Sequence, residues 1–266
     1  MKTYAVITSM DDAYYQKVGR ACIESFGAHW PNNIHLYVFD EGIVDPPKRK
    51  WVTYLPWDSL GSDFVDFCIR NTGSRTQTFA KKAFSVIAGL DIVDVDRLIW
   101  LDADVITTYS INNQLLDMIT PNDVLSTHYG VLHNWPSETD PDRLSFSCET
   151  GFFIVNRRHP EFCSFAQRYK EYYVKDLGLK LRRFYDGEVY GAVVDEFERL
   201  GTKMMELNPE RRHKTPIPRS VMAPYIMHYK AGAKEPWTSE QLMVKHNITH
   251  EDSSISSRSE EHTSEL

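Results

Sequence analysis

Short runs of Val, Ile, Leu and Tyr alternate with amphipathic stretches along the first half of the chain. The apolar runs predict strands at residues 4–9, 34–39, 51–55 and 97–101. Between them, apolar side chains recur at helical spacing from about residue 12 to 26, with a break at Gly27, and from about residue 76 to 90. Strands that alternate with amphipathic helices indicate β-α-β units, so we expect an α/β fold with a mainly parallel sheet.

The second half of the chain is more mixed, and its last stretch has no pattern of core positions. Further strands and helices are predicted, the strands at 123–127 and 151–156 and the helices near 159–175 and 187–200. From Asn247 onward the chain is rich in Ser and Glu, which predicts a disordered tail over 247–266. Its final segment, RSEEHTSEL at 258–266, resembles the translation of a sequencing-adapter oligonucleotide. We therefore expect one α/β domain at residues 1–246.

The composition of this 266-residue chain fits a globular protein, with 42% hydrophobic and 12% aromatic residues. A formal net charge of −7 argues against a general polyanion binder, so no nucleic-acid partner is expected. No apolar run approaches the roughly 18 residues of a membrane span, and the N-terminus has the pattern of a first strand, not of a signal peptide. We therefore expect a cytoplasmic protein without a transmembrane segment. The four cysteines lack zinc spacing and are expected to be reduced and mostly buried.

The segment LIWLDADVIT at residues 98–107 places two aspartates, Asp102 and Asp104, directly after a predicted strand. A similar pair, Asp94 and Asp96, precedes that strand, where charges are usually only solvated. The carboxyl ends of strands are where open α/β sheets bind ligands. Residues two apart in an extended segment face the same side, so Asp102 and Asp104 could chelate one hard cation. A solvated strand end is the simpler alternative.

A carboxylate pair that holds a cation fits two chemistries. Haloacid-dehalogenase phosphatases carry Asp-x-Asp at a strand end, and the first Asp is their nucleophile. Those proteins generally have the motif on their first strand, followed two positions later by Thr or Val. In this chain the motif follows the fourth predicted strand, and Ile106 stands at that position. The other chemistry is sugar transfer from a nucleotide-sugar, in which a metal offsets the charge of the leaving diphosphate.

A set of segments spread between residues 4 and 237 resembles the GT-A-fold glycosyltransferases, most of all the glycogenin and bacterial lipopolysaccharide galactosyltransferase family. The segments are VITSMDDAYYQ, TFAKKAFSVI, RLIWLDADVI, SCETGFFIVN, FYDGEVYGAV and IMHYKAGAKEPW. The resemblance implies a single GT-A, Rossmann-like domain with a mainly parallel central sheet. It also implies metal-dependent transfer of a sugar from a nucleotide-diphosphate sugar, a UDP-sugar, to a hydroxyl of a glycan, lipid or protein acceptor.

The same resemblance implies which residues bind the metal and the donor. Mn²⁺ or Mg²⁺ would be held by Asp102, Asp104 and His228. The implied donor-binding residues are Ser9 and Asp11 at the uracil or ribose, Tyr14 on the base, Lys82, Gly151, and Gly232 and Lys234 at the diphosphate. Tyr14, Lys82 and His228 also have ordinary structural alternatives, which are a packing aromatic, a solvated lysine and a packed histidine. In the last segment the glycine falls one position late, and Glu235 separates the lysine from the Pro-Trp pair.

Three carboxylates, Glu149, Asp186 and Glu188, are the candidates for catalysis. Such a carboxylate could stabilise a cationic sugar centre, act as a nucleophile, or serve as the base for the acceptor hydroxyl. Glu149 begins Glu-Thr-Gly where the family usually has Asn-Ala-Gly, and Gly187 replaces the glutamine of an Asp-Gln-Asp helix start. That glutamine lies beside the reacting carbon in the family, so retention of configuration does not carry over. Asp186 and Glu188 could instead cap a helix, and a non-catalytic nucleotide- or glycan-binding protein on the same fold stays open.

Overall fold

The computed structural model describes residues 2–137, 144–208, 217–229 and 237–248. Its strands are β1 (Tyr4–Met10), β2 (His35–Asp40), β3 (Val52–Pro56), β4 (Arg97–Leu101), β5 (Val105–Thr107), β6 (Thr127–Pro136), β7 (Leu144–Glu149), β8 (Phe152–Asn156), β9 (Met205–Glu206) and β10 (Ile226–His228). The central sheet has five strands in the order β3-β2-β1-β4-β8. All its neighbours pair in parallel except β8, which runs antiparallel to β4. The predicted α/β fold with a mainly parallel sheet is confirmed.

Helices cover both faces of this sheet. They are α1 (Asp12–Tyr14), α2 (Arg20–His29), α3 (Ser62–Arg70), α4 (Thr76–Ile92), α5 (Asn113–Ile119), α6 (Phe162–Val174), α7 (Asp186–Arg199) and α8 (Ser239–Lys245), with a π-helical turn at Tyr15–Gly19 between the first two. Because side chains alternate along a strand, Val6 and Ile99 belong to one core with α2, α5 and α8. Ile7 and Trp100 belong to a second core with α3, α4, α6 and α7. Strand β4 is therefore buried at every position, which explains its continuous apolar sequence.

Two predicted boundaries differ from the structure. The first helix does not break at Gly27, because α2 continues to His29. A Cβ at Gly27 would lie well under 3.0 Å from the ring of Trp51, so this glycine permits close packing inside the helix. The strand expected at 123–127 begins only at Thr127 and continues to Pro136 as β6.

Two smaller pairings bring distant parts of the chain to the edge of the central sheet where β1 and β4 end. After β4 the chain turns through residues 102–104 into β5, which pairs antiparallel with β10 so that Val105 lies opposite His228. Strand β7 pairs antiparallel with β6 and leads through Thr150 and Gly151 into β8. The ends of β4, β7 and β10 consequently lie close together.

The fold extends slightly beyond the domain end predicted at residue 246. Ile248 is buried in the first core, and its N–H donates to the carbonyl of Met243 at 2.9 Å. The remainder of the predicted tail lies outside the described residues. Within the described ranges, the helices are all too short or too polar to traverse a bilayer. The cysteines are free thiols, of which Cys22 and Cys148 are buried and Cys163 is exposed.

Candidate active site

A cleft of about 1230 Å³ opens where β1 and β4 end, which is the usual ligand-binding edge of an open α/β sheet. Most of the residues expected to bind metal or donor line it: Ser9, Asp11, Tyr14, Lys82, Asp102, Asp104 and His228. Two of the three candidate catalytic carboxylates, Glu149 and Asp186, line the side formed by β7 and α7. Residues that are far apart in the sequence therefore meet in one cleft.

The side chains of Asp102, Asp104 and His228 form a compact cluster. One potential ligand atom from each lies within 4.8 Å of the others. The Nε2 atom of His228 is 2.9 Å from Oδ1 of Asp104 and 3.8 Å from Oδ2 of Asp102. The backbone fixes the cluster, since the N–H of Asp102 donates to the carbonyl of Gly151 and the N–H of Tyr229 donates to the carbonyl of Asp104, both at 2.8 Å.

This cluster fits a divalent cation with a preference for oxygen ligands. Two carboxylates and one imidazole are suitable ligands for Mn²⁺ or Mg²⁺. The ring of His228 packs closely against the backbone of Gly151. A Cβ at position 151 would lie only 3.0 Å from this ring. Gly151 thus allows close approach of the His228 ring, and its implied contact with the donor stays a prediction.

Burial and hydrogen bonding shift the pKa values of the three side chains in different directions. Burial raises the pKa of Asp102. Burial alone would also raise the pKa of Asp104, but the hydrogen bonds from His228 and Tyr14 outweigh it and lower that pKa. Burial alone would lower the pKa of His228, but its hydrogen bond with Asp104 outweighs burial and raises that pKa. His228 and Asp104 therefore favour an ion pair with each other.

Tyr14 lines the cleft and contacts Asp104 with its hydroxyl. The hydroxyl donates to Oδ2 of Asp104 at 2.7 Å. Burial and the charge of Asp104 raise the pKa of Tyr14, so the hydroxyl stays a protonated donor. Asp11 holds the start of this helix, since its Oδ1 accepts the N–H of Tyr14 at 2.7 Å. The structure thus adds a contact with Asp104 to the base stacking that the sequence suggested for Tyr14.

Lys82 is half-buried beside Asp102 and Asp186, and it is not a solvated lysine. Its Nζ lies 2.8 Å from Oδ1 of Asp102 and 2.6 Å from Oδ2 of Asp186, and it donates to Thr150 Oγ1 at 2.9 Å. Burial alone would lower the pKa of Lys82, but the two aspartates outweigh it and raise that pKa. The neighbouring Lys81 pairs with Glu41 instead. Lys82 therefore links the candidate metal site to Asp186.

The three candidate catalytic carboxylates occupy different places. Glu149 has Oε1 at 3.5 Å from Nδ1 of His228. Asp186 accepts a hydrogen bond of 2.6 Å from Oγ1 of Thr150, besides its ion pair with Lys82. Glu188 is only 2% exposed and lies behind the cleft wall, where the hydroxyl of Tyr185 donates to its Oε1 at 3.2 Å. Glu149 and Asp186 therefore line the cleft, whereas Glu188 contacts Tyr185, which lines it.

The packing of α7 explains why position 187 is a glycine, where the glycosyltransferases that the sequence resembles have a glutamine. A Cβ at Gly187 would lie well under 3.0 Å from the carbonyl oxygen of Cys148, and a Cβ at Gly191 would lie 2.6 Å from Cα of Ser147. Helix α7 therefore packs directly on the backbone of β7, and the two glycines at i and i+4 make this possible. A side chain at position 187 has no room in this arrangement.

Two predicted donor residues, Gly232 and Lys234, lie outside the described residues. The residues on either side of that segment contact each other, with the rings of Tyr229 and Trp237 centred 6.1 Å apart. Lys245 of α8 lies over the Trp237 ring at 4.1 Å. The predicted role of Gly232 and Lys234 at the diphosphate stays a prediction.

Two further residues that contact the site are not among the candidates expected from the sequence. The indole Nε1 of Trp100 donates to Oδ1 of Asp102 at 2.6 Å, and Thr150 bonds both Lys82 and Asp186. A signal existed for Trp100, because residues two apart on a strand face the same side. Thr150 had no such signal, since its partners come from α4 and α7.

Comparisons with known proteins support the fold assignment. No family model matches this chain, and no curated protein matches it in sequence. Solved structures do match. The galactosyltransferase LgtC, solved with donor and acceptor sugar analogues, aligns with a TM-score of 0.54 and 17% identity over 94% of this chain and 98% of LgtC.

Two further solved structures align over most of this chain. The bifunctional glycosyltransferase WbbM aligns with a TM-score of 0.54 and 14% identity over 93% of this chain and 50% of WbbM. The glycosyltransferase GlyE of Streptococcus pneumoniae TIGR4 aligns with a TM-score of 0.51 and 13% identity over 93% of this chain and 61% of GlyE. This chain therefore has the same fold as these glycosyltransferases, the GT-A fold.

Proposed function

We propose that this protein is a glycosyltransferase that moves a sugar from a nucleotide-diphosphate sugar, specifically a UDP-sugar, to a hydroxyl acceptor, with Mn²⁺ or Mg²⁺ as its cofactor. The observation that carries the proposal is the meeting of Asp102, Asp104 and His228 within 4.8 Å. They meet in the cleft at the ligand-binding edge of a GT-A sheet. If Asp102 and Asp104 were only solvated acids at a strand end, there would be no reason for a histidine from β10, more than a hundred residues later, to lie beside them.

In this proposal Asp102, Asp104 and His228 hold the cation. When bound, the cation supplies positive charge that stabilises the departing nucleoside diphosphate. Ser9 and Asp11 contact the nucleoside at the end of β1, and the ring of Tyr14 faces the base. Gly232 and Lys234 would contact the diphosphate. Lys82 adds a fixed positive charge between Asp102 and Asp186.

The reacting sugar would lie between the metal ligands and the wall formed by β7 and α7. Glu149 and Asp186 line that wall, and this supports a role for one of them in stabilising a cationic sugar centre or in receiving the proton of the acceptor hydroxyl. Glu188 would act through Tyr185, whose hydroxyl donates a hydrogen bond to it. The fold comparisons favour sugar transfer over the haloacid-dehalogenase alternative, in which Asp102 would attack a phosphate ester.

A thermal-shift experiment with UDP, GDP and CMP, each with and without Mn²⁺, tests the proposal. We expect UDP with Mn²⁺ to stabilise the wild type by about 2.7 kcal/mol at a hundredfold excess over Kd. Asp104→Ala should abolish this response. Asp94→Ala is the matched control, since Asp94 belongs to the other Asp-x-Asp pair and its side chain is 92% exposed.

Enzyme assays then separate the three functions. Slow hydrolysis of a UDP-sugar by the wild type, lost in Asp104→Ala, is the result expected of a glycosyltransferase without its acceptor. Binding of UDP with no turnover of any nucleotide-sugar would instead identify a non-catalytic binding protein. Hydrolysis of a simple phosphate ester without any response to UDP would identify a phosphohydrolase.

A further inference from the structure

The indole of Trp100 is bonded to a candidate metal ligand. Trp100 is 3% exposed on β4, between Ile7 of β1 and Phe153 of β8. Its Nε1–H donates to Oδ1 of Asp102 at 2.6 Å. A buried indole N–H needs a hydrogen-bond acceptor, and a backbone carbonyl would serve as well as a carboxylate. In this chain the acceptor is the carboxylate that begins the acidic cluster.

The two oxygens of Asp102 have different surroundings because of this bond. Oδ1 accepts from Trp100 at 2.6 Å and lies 2.8 Å from Nζ of Lys82. Oδ2 lies 3.1 Å from the same Nζ and is the oxygen nearer to His228, at 3.8 Å from Nε2. One oxygen is thus directed toward Trp100, and the other is directed toward the remaining candidate ligands.

We propose that Trp100 is a positioning residue of the metal site, whose N–H holds Asp102 so that Oδ2 faces the cation shared with Asp104 and His228. This inference rests on the proposed function, because it assumes a cation at those three residues. Hydrogen bonds from neighbouring residues orient metal ligands and typically change metal affinity by about 10- to 100-fold when removed. Nζ of Lys82 lies 5.6 Å from the centre of the Trp100 ring. Trp100→Phe keeps an aromatic ring in the core beside Lys82 and removes the indole donor and part of the packing.

The chain offers a matched control for this substitution. Trp30 is also buried, at 6% exposure, and its Nε1–H also donates to a side chain, Oγ1 of Thr107, at 2.9 Å. Trp30 packs against Phe26 in the other core and bonds no candidate ligand. Trp30→Phe therefore loses a buried indole hydrogen bond and similar packing, but it leaves Asp102 untouched.

The test is a titration with Mn²⁺ alone, followed by electron paramagnetic resonance, on the wild type, Trp100→Phe, Trp30→Phe and Asp104→Ala. We expect both tryptophan variants to lose thermal stability, but only Trp100→Phe to bind Mn²⁺ about 10- to 100-fold more weakly. Equal Mn²⁺ affinity of the wild type and Trp100→Phe would overturn the inference. Equal weakening by Trp30→Phe would overturn it too, because the effect would then be a general loss of stability.

The titration also distinguishes this inference from the proposed function. If the wild type binds Mn²⁺ no better than Asp104→Ala, the proposed metal site is contradicted, whatever the affinity of Trp100→Phe. If circular dichroism shows that Trp100→Phe does not fold, Trp100→Met carries the same test, since its flexible apolar side chain can fill part of the space and has no hydrogen-bond donor. Mn²⁺ affinity of that variant within about twofold of the wild type would overturn the inference, against the 10-fold or greater loss expected.

Discussion

The close packing of α7 on β7 makes a sharp prediction for Gly187→Ala. In a solvent-exposed helix, replacing Gly with Ala stabilises by up to about 1 kcal/mol. At this position the new Cβ would lie well under 3.0 Å from the carbonyl oxygen of Cys148. A backbone carbonyl in a paired strand cannot move aside as a side-chain end can, so the helix has to shift.

The magnitude follows from the balance of these two effects. Overpacking typically costs about 1–3 kcal/mol, and a clash with backbone falls toward the upper end. After the gain in helix propensity, we expect a net loss of about 1–2 kcal/mol. For a chain of this size such a loss lowers Tm by roughly 2–8 °C. Because Asp186 begins α7, the shift should also weaken its ion pair with Lys82.

Urea unfolding and thermal denaturation of both proteins measure the effect. The matched control is Gly89→Ala in α4, where the new Cβ would lie 2.9 Å from Cδ1 of Ile7 and 3.2 Å from Cδ2 of Leu98. Those are the ends of flexible side chains, so the control should lose less than Gly187→Ala. If Gly187→Ala is as stable as the wild type, or more stable, α7 does not lie on β7 as described, and position 187 has room for a side chain.

Gly151→Ala should weaken Mn²⁺ binding in a calorimetric titration, because its Cβ would lie 3.0 Å from the His228 ring. Unchanged affinity would show that the His228 ring does not lie against residue 151. Glu196→Gln should lower the free energy of unfolding at pH 7, since Glu196 accepts hydrogen bonds of 2.6 and 2.9 Å from Arg168. Burial alone would raise the pKa of Glu196, but these bonds outweigh it and lower that pKa. The stabilisation is therefore present above the ordinary glutamate pKa of about 4.3 and is lost as the pH falls through the lower folded value. Urea unfolding across pH 7 to 3 should show the difference between wild type and variant shrinking; a constant difference would contradict this.

The parts of the fold that the sequence predicted are those set by local pattern. β1, β2, β3, β4 and β8 are apolar runs long enough to be recognised, and the pair Asp102 and Asp104 follows β4 directly. The helix through Gly27 was misjudged because a glycine that packs against Trp51 has the same local signal as one that ends a helix. Local pattern cannot distinguish the two, since the difference lies in a residue that is distant in the sequence.

The arrangement of the candidate site could be predicted only in part. His228 reaches Asp104 because β10 pairs with β5, a strand of three residues that has little local signal of its own. Lys82 turned out to be an ion-pair partner of Asp102 and Asp186 because α4 and α7 meet at the cleft. Such contacts depend on tertiary packing. A resemblance to known motifs can indicate which residues lie near the site, but it does not give the contacts between them.

The most direct test of the central claim is a crystal structure of the protein grown with UDP and Mn²⁺, with anomalous data collected at the manganese absorption edge. We expect one strong anomalous peak within about 2.3 Å of a carboxylate oxygen of Asp102, a carboxylate oxygen of Asp104 and a ring nitrogen of His228. A peak at other residues, or UDP bound in the cleft with no metal at these three side chains, would contradict it.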